Sequence, residues 1–326
     1  MEYVVRKRRQ KKLHGTAEFD IVKLTFRCFG RDNMKVLNFG SLNVDYVYNV
    51  DHIMLPGETQ SSTQRNVFAG GKGLNQSVAL AKAGLPTYHA GQVGSDADGE
   101  MLLGVLEKNG VDVSLVNKID GPCGHTFIQV DKNAQNCILL FGGANRCISE
   151  EYRKKVFSYF EAGDVIVLQN EINDLDKIID EAHEKGMTIV LNPSPFDSYL
   201  DVCDWSKIDI FFINEVEGAQ ISGKESADEI LDWFRVNHPD ALVVLTLGGA
   251  GSCCMKDGIV YRQDIVPVRA VDTTAAGDTF TGYFLRAYLG GQSIPEALAL
   301  AARASSITVS RPGAADSIPT MAELND

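Results

Sequence analysis

From residue 34 onward, short uninterrupted apolar runs alternate with segments of helical period. Residues 36–40, 165–168, 188–191, 210–213 and 242–247 lack the apolar–polar alternation of a strand with one wet face. Runs of that kind suit strands covered on both sides, as in a parallel sheet. Between them, 74–83, 101–108, 176–184, 279–289 and 295–309 read as helices. Gly84 with Pro86 ends the first of these, and Gly110 ends the second. The repeated strand–helix order predicts an α/β fold: a doubly wound, mostly parallel sheet with helices on both faces and right-handed crossovers.

Two stretches break this rhythm. Residues 46–53 and 58–68 mix β-branched, aromatic and polar side chains, and 126–130 and 136–141 flank the turn-like segment Asp131-Lys132-Asn133-Ala134-Gln135. The second pair reads as a hairpin. The four segments are expected to form a small antiparallel sheet inserted into the main domain, with lid segments near 46–68 and 124–142. Ligand sites gather at such junctions and at the carboxyl ends of parallel strands. Residues 1–33 show no period, and the compact domain is expected to run over 34–326, beginning near Met34. The leader then reads as a disordered tail, a targeting segment or an upstream translation start.

A length of 326 residues allows two domains, or one large domain with an insertion. The net charge of −12 is unevenly spread. Residues 1–33 hold nine Lys/Arg against four Asp/Glu, which leaves 22 basic and 39 acidic residues in the body. A body at −17 argues against nonspecific nucleic-acid binding. No apolar run reaches the ~18 residues of a membrane span. The basic start, Arg6 to Lys12, is followed by a stretch broken at Asp20, Lys23 and Arg27, a poor secretory signal. Seven cysteines without a C-x-x-C pair read as incidental reduced thiols, and the expected compartment is the cytoplasm.

Four segments carry chemistry. In Val271-Asp272-Thr273-Thr274-Ala275-Ala276-Gly277-Asp278-Thr279, small residues lead into a helix starting near Gly277. A helix start exposes unpaired N–H groups and the positive end of the macrodipole, and Ala275, Ala276 and Gly277 let an anion approach the backbone. Asp278 beside such an anion hole suits a general base on an attacking hydroxyl. The alternative is that it merely caps the helix. Ala69-Gly70-Gly71-Lys72-Gly73-Leu74-Asn75-Gln76 also places glycines ahead of a helix, but it matches neither the Walker A loop nor the dinucleotide pattern. Gly40-Ser41-Leu42-Asn43-Val44-Asp45 follows the first strand, and an amide and a carboxylate two apart suit polyol hydroxyls. An Asx turn is the plainer reading there. Asn214 and Glu217 share one face of a helix start, where they would hold magnesium through waters or lie as solvated charges.

In this order and spacing the motifs resemble the ribokinase (PfkB-type) family of sugar kinases, from about Met34 to Pro319. Gly70 to Asn75 matches the early glycine-rich signature, and Asp272 to Phe280 matches the late Asp-Thr-x-Ala-Ala-Gly-Asp-Thr-Phe signature. Ser41 to Asp45, Pro56-Gly57-Glu58-Thr59, Gly143-Ala144-Asn145 and Leu191-Asn192-Pro193-Ser194-Pro195 add to the likeness. The resemblance implies ATP-dependent phosphorylation of the primary 5-hydroxyl of D-ribose. It implies that Asn43, Asp45, Gly71, Lys72, Asn75 and Glu171 line the sugar pocket. Asp278 would be the base, and the N–H groups of Ala276 and Gly277 the anion hole. On the nucleotide side it implies Asn214, Thr246, Gly248, Gly249, Gly251 and Gly277 at ATP, with Glu217 linked to magnesium. A monovalent cation, potassium, would sit by Asp272, Thr274, Thr308, Gly313 and Ser317.

Leu74, Thr274, His125 and Thr126 depart from the family's usual residues. His125 and Thr126 fall in the lid, where they would face the sugar. A homodimer through the lid sheets is expected, because a small open sheet leaves edges and an apolar face to cover. Another sugar or a nucleoside is the alternative substrate, and Tyr46, Tyr48 and Phe127 are the candidates for a base-stacking slot. A phosphosugar kinase would want more basic residues than Lys72 and Arg65. A non-catalytic sugar sensor, with residues 1–33 binding DNA or a partner, is the alternative of a different class.

Overall fold

The apolar runs become the inner strands of a nine-stranded sheet in the computed structural model, which describes residues 34–325 apart from residue 134. The strands are β1 (Val36–Phe39), β4 (Thr87–Gly94), β5 (Asp112–Ile119), β8 (Val165–Gln169), β9 (Thr188–Asn192), β10 (Ile210–Asn214), β11 (Leu242–Thr246), β12 (Ser252–Lys256) and β13 (Ile259–Gln263). Their order is β13-β12-β11-β10-β9-β8-β1-β4-β5, parallel from β11 to β5 and antiparallel over β11-β12-β13.

Each inner strand feeds two cores. Val165 and Val167 point into a cluster with Leu74, Val78, Phe284 and Leu298, while Ile166 and Leu168 point into a cluster with Val156, Ile178 and Phe234. Neither face meets water, which is why these runs show no polar alternation. The first cluster is covered by α1 (Lys72–Lys82), α2 (Ala97–Lys108), α7 (Ala276–Leu289) and α8 (Ile294–Val309). The second is covered by α3 (Glu150–Phe157), α4 (Leu175–Lys185) and α6 (Ala227–Asn237). Each fully buried Leu, Val or Phe contributes roughly 1.5–3 kcal/mol. Helices α5 (Glu215–Ser222) and α9 (Met321–Asn325) complete the α-helices among the described residues.

Strands β4 and β5 were not legible as apolar runs. Thr87, His89 and Gln92 interrupt β4 although all three are buried, and β5 is an edge strand with several exposed positions.

The second sheet holds β2 (Asn43–Asn49), β3 (Gln64–Gly70), β6 (Gly124–Val130) and β7 (Asn136–Phe141), in the order β3-β2-β6-β7. It corrects the expectation of an antiparallel sheet, because the central pair β2–β6 is parallel. Two hairpins stand side by side, and their first strands pair with each other. The small sheet's strands lie within 43–70 and 124–141, and residues 50–63 between β2 and β3 hold no strand.

Register fixes the two faces of this sheet. Asn43 and Asp45 share a face with Thr126, Ile128, Ile138, Leu140 and Phe68. Tyr46, Tyr48, His125, Phe127, Leu139 and Phe141 occupy the other.

The basic leader, residues 1–33, and Cys28 lie outside the described residues. The remaining six cysteines are free thiols. Among the described residues, no helix is long and apolar enough to cross a membrane.

Candidate active site

The carboxyl ends of β9, β10 and β11 open onto a cleft of about 230 Å³, capped by the start of α7. Lys72, Asn192, Asn214, Glu217, Thr246 and residues 275–278 line it. Ala275 precedes α7 in the left-handed region at φ 61° and supplies no side-chain cap. The first turn therefore keeps donors open. The Ala276 N–H turns back to the Thr273 carbonyl at 3.3 Å. Those of Gly277 and Asp278 meet no acceptor among the described residues, so the open donors are shifted one residue along from the expected Ala276–Gly277 pair.

Asp278 does not cap its own helix. Its Oδ1 accepts from Gln76 Nε2 at 3.0 Å, and the residue is 9% exposed. Burial raises its carboxyl above the usual range, against the opposing pull of Lys72, Gln76 and Asn75, while Glu171 adds to the rise. For Lys72, burial disfavours the ammonium, but Asp278, Glu171 and Glu217 more than offset it and raise its pKa. One ammonium thus sits among three carboxylates.

The glycine-rich segment and the loop after β1 meet at Glu171. Its Oε2 accepts from the Lys72 N–H at 3.0 Å and from the Ser41 hydroxyl, which in turn accepts from the Gly73 N–H at 3.3 Å. Gly73 has no room for a side chain, because an added Cβ would lie 2.3 Å from the Ser41 nitrogen. At Gly70 it would lie 2.0 Å from Asp45 Oδ2, so the carboxylate rests on bare backbone. Asp45 and Asn43 are strand residues and form no Asx turn. Asn43 Oδ1 accepts from Asn145 Nδ2 at 2.8 Å, and Asp45 Oδ1 accepts from the Thr126 hydroxyl at 2.5 Å. Burial raises the Asp45 carboxyl, the Thr126 bond lowers it and Glu171 raises it further, with a net rise. Gly71 is the N-cap of α1, and Asn75 lies in that helix's buried first turn.

His125 is placed against expectation. Strand alternation puts it on the face opposite Asp45, within an aromatic cluster. Tyr46, Tyr48 and Phe127 lie there too; Phe127 stacks on Tyr46 at 5.5 Å and on Tyr48 at 6.4 Å. The Tyr46 hydroxyl donates to Asp98 on α2 at 2.6 Å, which pushes its pKa up to about 12. Arg65 lies over Tyr46 on that same far face.

Asn214 and Glu217 form a reciprocal capping box at the start of α5: the Glu217 N–H donates to Asn214 Oδ1 (2.8 Å) and the Asn214 N–H to Glu217 Oε2 (3.1 Å). Glu217 is 6% exposed, so it is no solvated surface charge. Gly248, Gly249 and Gly251 are not brought into the cleft lining with Thr246; they turn the chain from β11 into β12.

Asp272 Oδ1 accepts from the Thr274 N–H (2.9 Å) and hydroxyl (2.7 Å), and Oδ2 from the Gly313 N–H (3.0 Å). Burial raises the Asp272 carboxyl, yet these donors outweigh it and hold it below the ordinary range. Thr308 instead meets Thr279 (3.0 Å), and Ser317 donates to the Ala314 carbonyl (2.6 Å). Sequence reasoning assigned no role to Gln76 or Asn192, which contact each other and, through Gln76, the Asp278 carboxylate. The one signal was the position of Gln76, one helical turn after Lys72.

Residues 33–321 match the model of the pfkB family of carbohydrate kinases. Ribokinase from Haemophilus influenzae is 34% identical over 291 residues, 87% of this chain and 95% of that enzyme. Deoxyribokinase from Salmonella typhi is 29% identical over 303 residues, 90% of this chain and 98% of that one. The structure of Arabidopsis thaliana ribokinase complexed with ribose and ATP superposes with a TM-score of 0.80 at 30% identity, covering 90% of this chain and 97% of that one. With a doubly wound sheet, a second small sheet and both signatures meeting at one cleft, the chain belongs to the pfkB family of carbohydrate kinases.

Proposed function

We propose that this kinase transfers the γ-phosphate of ATP to the 5-hydroxyl of D-ribose. The observation that carries the reading is the continuity of two clusters: Lys72 lines the cleft beside Asp278 and is bonded through its N–H to Glu171 at the polyol-binding segment. The Arabidopsis relative with ribose and ATP supports both ligands.

Asn43, Asp45 and Glu171 hold sugar hydroxyls, and Lys72 offsets carboxylate charge. Asp278 accepts the proton of the attacking hydroxyl late, as the loose transition state forms. The open N–H groups at the start of α7 take up charge on the transferring phosphoryl. Closure of the lid sheet excludes water and aligns the hydroxyl.

Magnesium bound with ATP would add positive charge at the phosphates. The buried Glu217 fits that ion through water, having one oxygen outside the capping box. A potassium ion is proposed where 271–274 is strapped to 309–313, by Val271 and Asp272 N–H groups on the Val309 carbonyl and by Gly313 on Asp272. The Asp272 carboxylate is already satisfied by donors, so backbone carbonyls are the natural ligands there. The free thiols suit a reducing cytoplasm.

Deoxyribose is the second reading, motivated by the deoxyribokinase relative. Against a nucleoside stands the placement of Tyr46, Tyr48 and Phe127 on the lid face away from Asp45. The test is ADP release across ribose, 2-deoxyribose, fructose, adenosine and pseudouridine, with and without potassium. Potassium-stimulated turnover greatest on ribose is expected. Preference for any other acceptor overturns the ribose assignment, and turnover indifferent to potassium overturns the cation site.

A further inference from the structure

Behind Asp278, the packing between α1 and the sheet is polar where aliphatic packing is the norm. Asn38, Gln76, Ser77, His89 and Gln169 are all 0% exposed. Gln76 is the link from this layer to the cleft. Its Nε2 donates to Asp278 Oδ1 at 3.0 Å and lies 3.2 Å from Asn192 Oδ1. Its Oε1 accepts from Gln169 Nε2 at 2.7 Å, and that same nitrogen lies 3.3 Å from Asn38 Oδ1. Asn192 is held in turn by donating to the Phe212 carbonyl at 2.9 Å. Only one orientation of the Gln76 amide satisfies this arrangement. Reversed, its oxygen would face the Asp278 carboxylate and its NH2 would face that of Gln169.

A buried base needs one oxygen held by donors and the other left to receive the substrate proton. Lys72 supplies charge near Asp278, but an ammonium on a flexible stem fixes direction poorly. A neutral, fully buried amide braced on its far side fixes it well and adds no charge. We propose, resting on the reading of Asp278 as the base, that Gln76 is a positioning residue: braced by Gln169 and Asn192, it clamps Oδ1 of Asp278 and thereby presents Oδ2 to the sugar hydroxyl.

The charged groups around Asp278 are Lys72 on α1, Glu171 after β8, and Glu217 on α5, which lines the same cleft. The Gln76 bond acts with Lys72 in favouring the carboxylate form. Its removal therefore raises the Asp278 pKa further, and the acid limb of kcat moves to higher pH.

The test compares wild type with Gln76→Met, which keeps the volume and removes both polar ends, and with Gln169→Met, which breaks the brace one link back. Circular dichroism and melting establish that each is folded. For Gln76→Met, kcat falls about ten- to hundredfold with both KM values within about threefold. The acid limb rises by about one pH unit, as expected for one lost hydrogen bond to a charged group. Gln169→Met shifts the same way by less. A carboxyl 13C titration of the ligand-free protein, with the Asp278 signal assigned by its loss in Asp278→Asn, reads the same shift without turnover. An unmoved limb and titration midpoint in folded Gln76→Met overturn the proposal, even if activity is lost. If that variant does not fold, Gln76→Glu replaces it, with an upward shift again expected and an unmoved midpoint again fatal. Should Asp278→Asn keep its turnover, the base reading fails, while the titration still decides whether Gln76 holds the carboxylate.

Discussion

Asp278 combines burial, which penalises its charge, with Lys72, Gln76 and Asn75, which support it, and burial prevails. Its folded-state pKa is raised, so the folded state binds the proton more tightly than the unfolded one. Stability from this group is present at low pH and is lost as pH climbs through the raised pKa. Asp278→Asn removes that loss, so melting of the ligand-free variant should exceed wild type by a margin that grows with pH and then levels off. A margin that shrinks with pH contradicts the sign. On the sugar side, Thr126→Val deletes the donor to Asp45 Oδ1. Hydrogen bonds to charged groups are worth about 1.5–3 kcal/mol, so KM for ribose should rise about tenfold or more with kcat within about twofold. Steady-state kinetics with unchanged KM would show that this bond does not set sugar affinity. Asp278 and Asp45 were legible as candidates because a motif carried each, and both carboxylates are held by neighbouring side chains. Gln76 was not legible, because a buried amide in a helix gives no sign of its partner across the core.

At the scale of elements, α1 is positioned by backbone contact. The Leu74 N–H donates to the Ser41 carbonyl at 3.0 Å, and Gly73 leaves no room beside Ser41. Gly73→Ala should cost about 1–3 kcal/mol through forced backbone shifts, seen as a lowered Tm. Gly104→Ala, a mid-helix position where the added methyl meets nothing within 4 Å, should instead stabilise by about 0.5–1 kcal/mol. Equal effects of the two would contradict the close-approach account. Strands with both faces buried were readable as apolar runs. Strand β4 was not, because Thr87, His89 and Gln92 lie in its buried interior. The pairing of β2 with β6 was equally hidden: local pattern shows hairpins, whereas a parallel pairing between residues 43 and 124 depends on the whole topology.

At the scale of the molecule, the small sheet leaves apolar surface open. Every residue of β7 is exposed, including Ile138 (55%), Leu139 (69%) and Phe141 (50%). We take this sheet as the surface of a homodimer, since such a patch seldom stays bare in water. Sedimentation at micromolar concentration should give a dimer that Ile138→Glu shifts toward monomer; a monomeric wild type contradicts it. The proposed activity rests on one proton transfer at the mouth of α7. The most direct measurement is phosphate transfer from ATP to ribose by wild type and Asp278→Asn side by side, with the product identified by 31P NMR. Ribose 5-phosphate from wild type and a rate lower by about two to four orders of magnitude in the folded, ribose-binding variant are predicted. Near-equal rates would remove Asp278 from the chemistry and contradict the account.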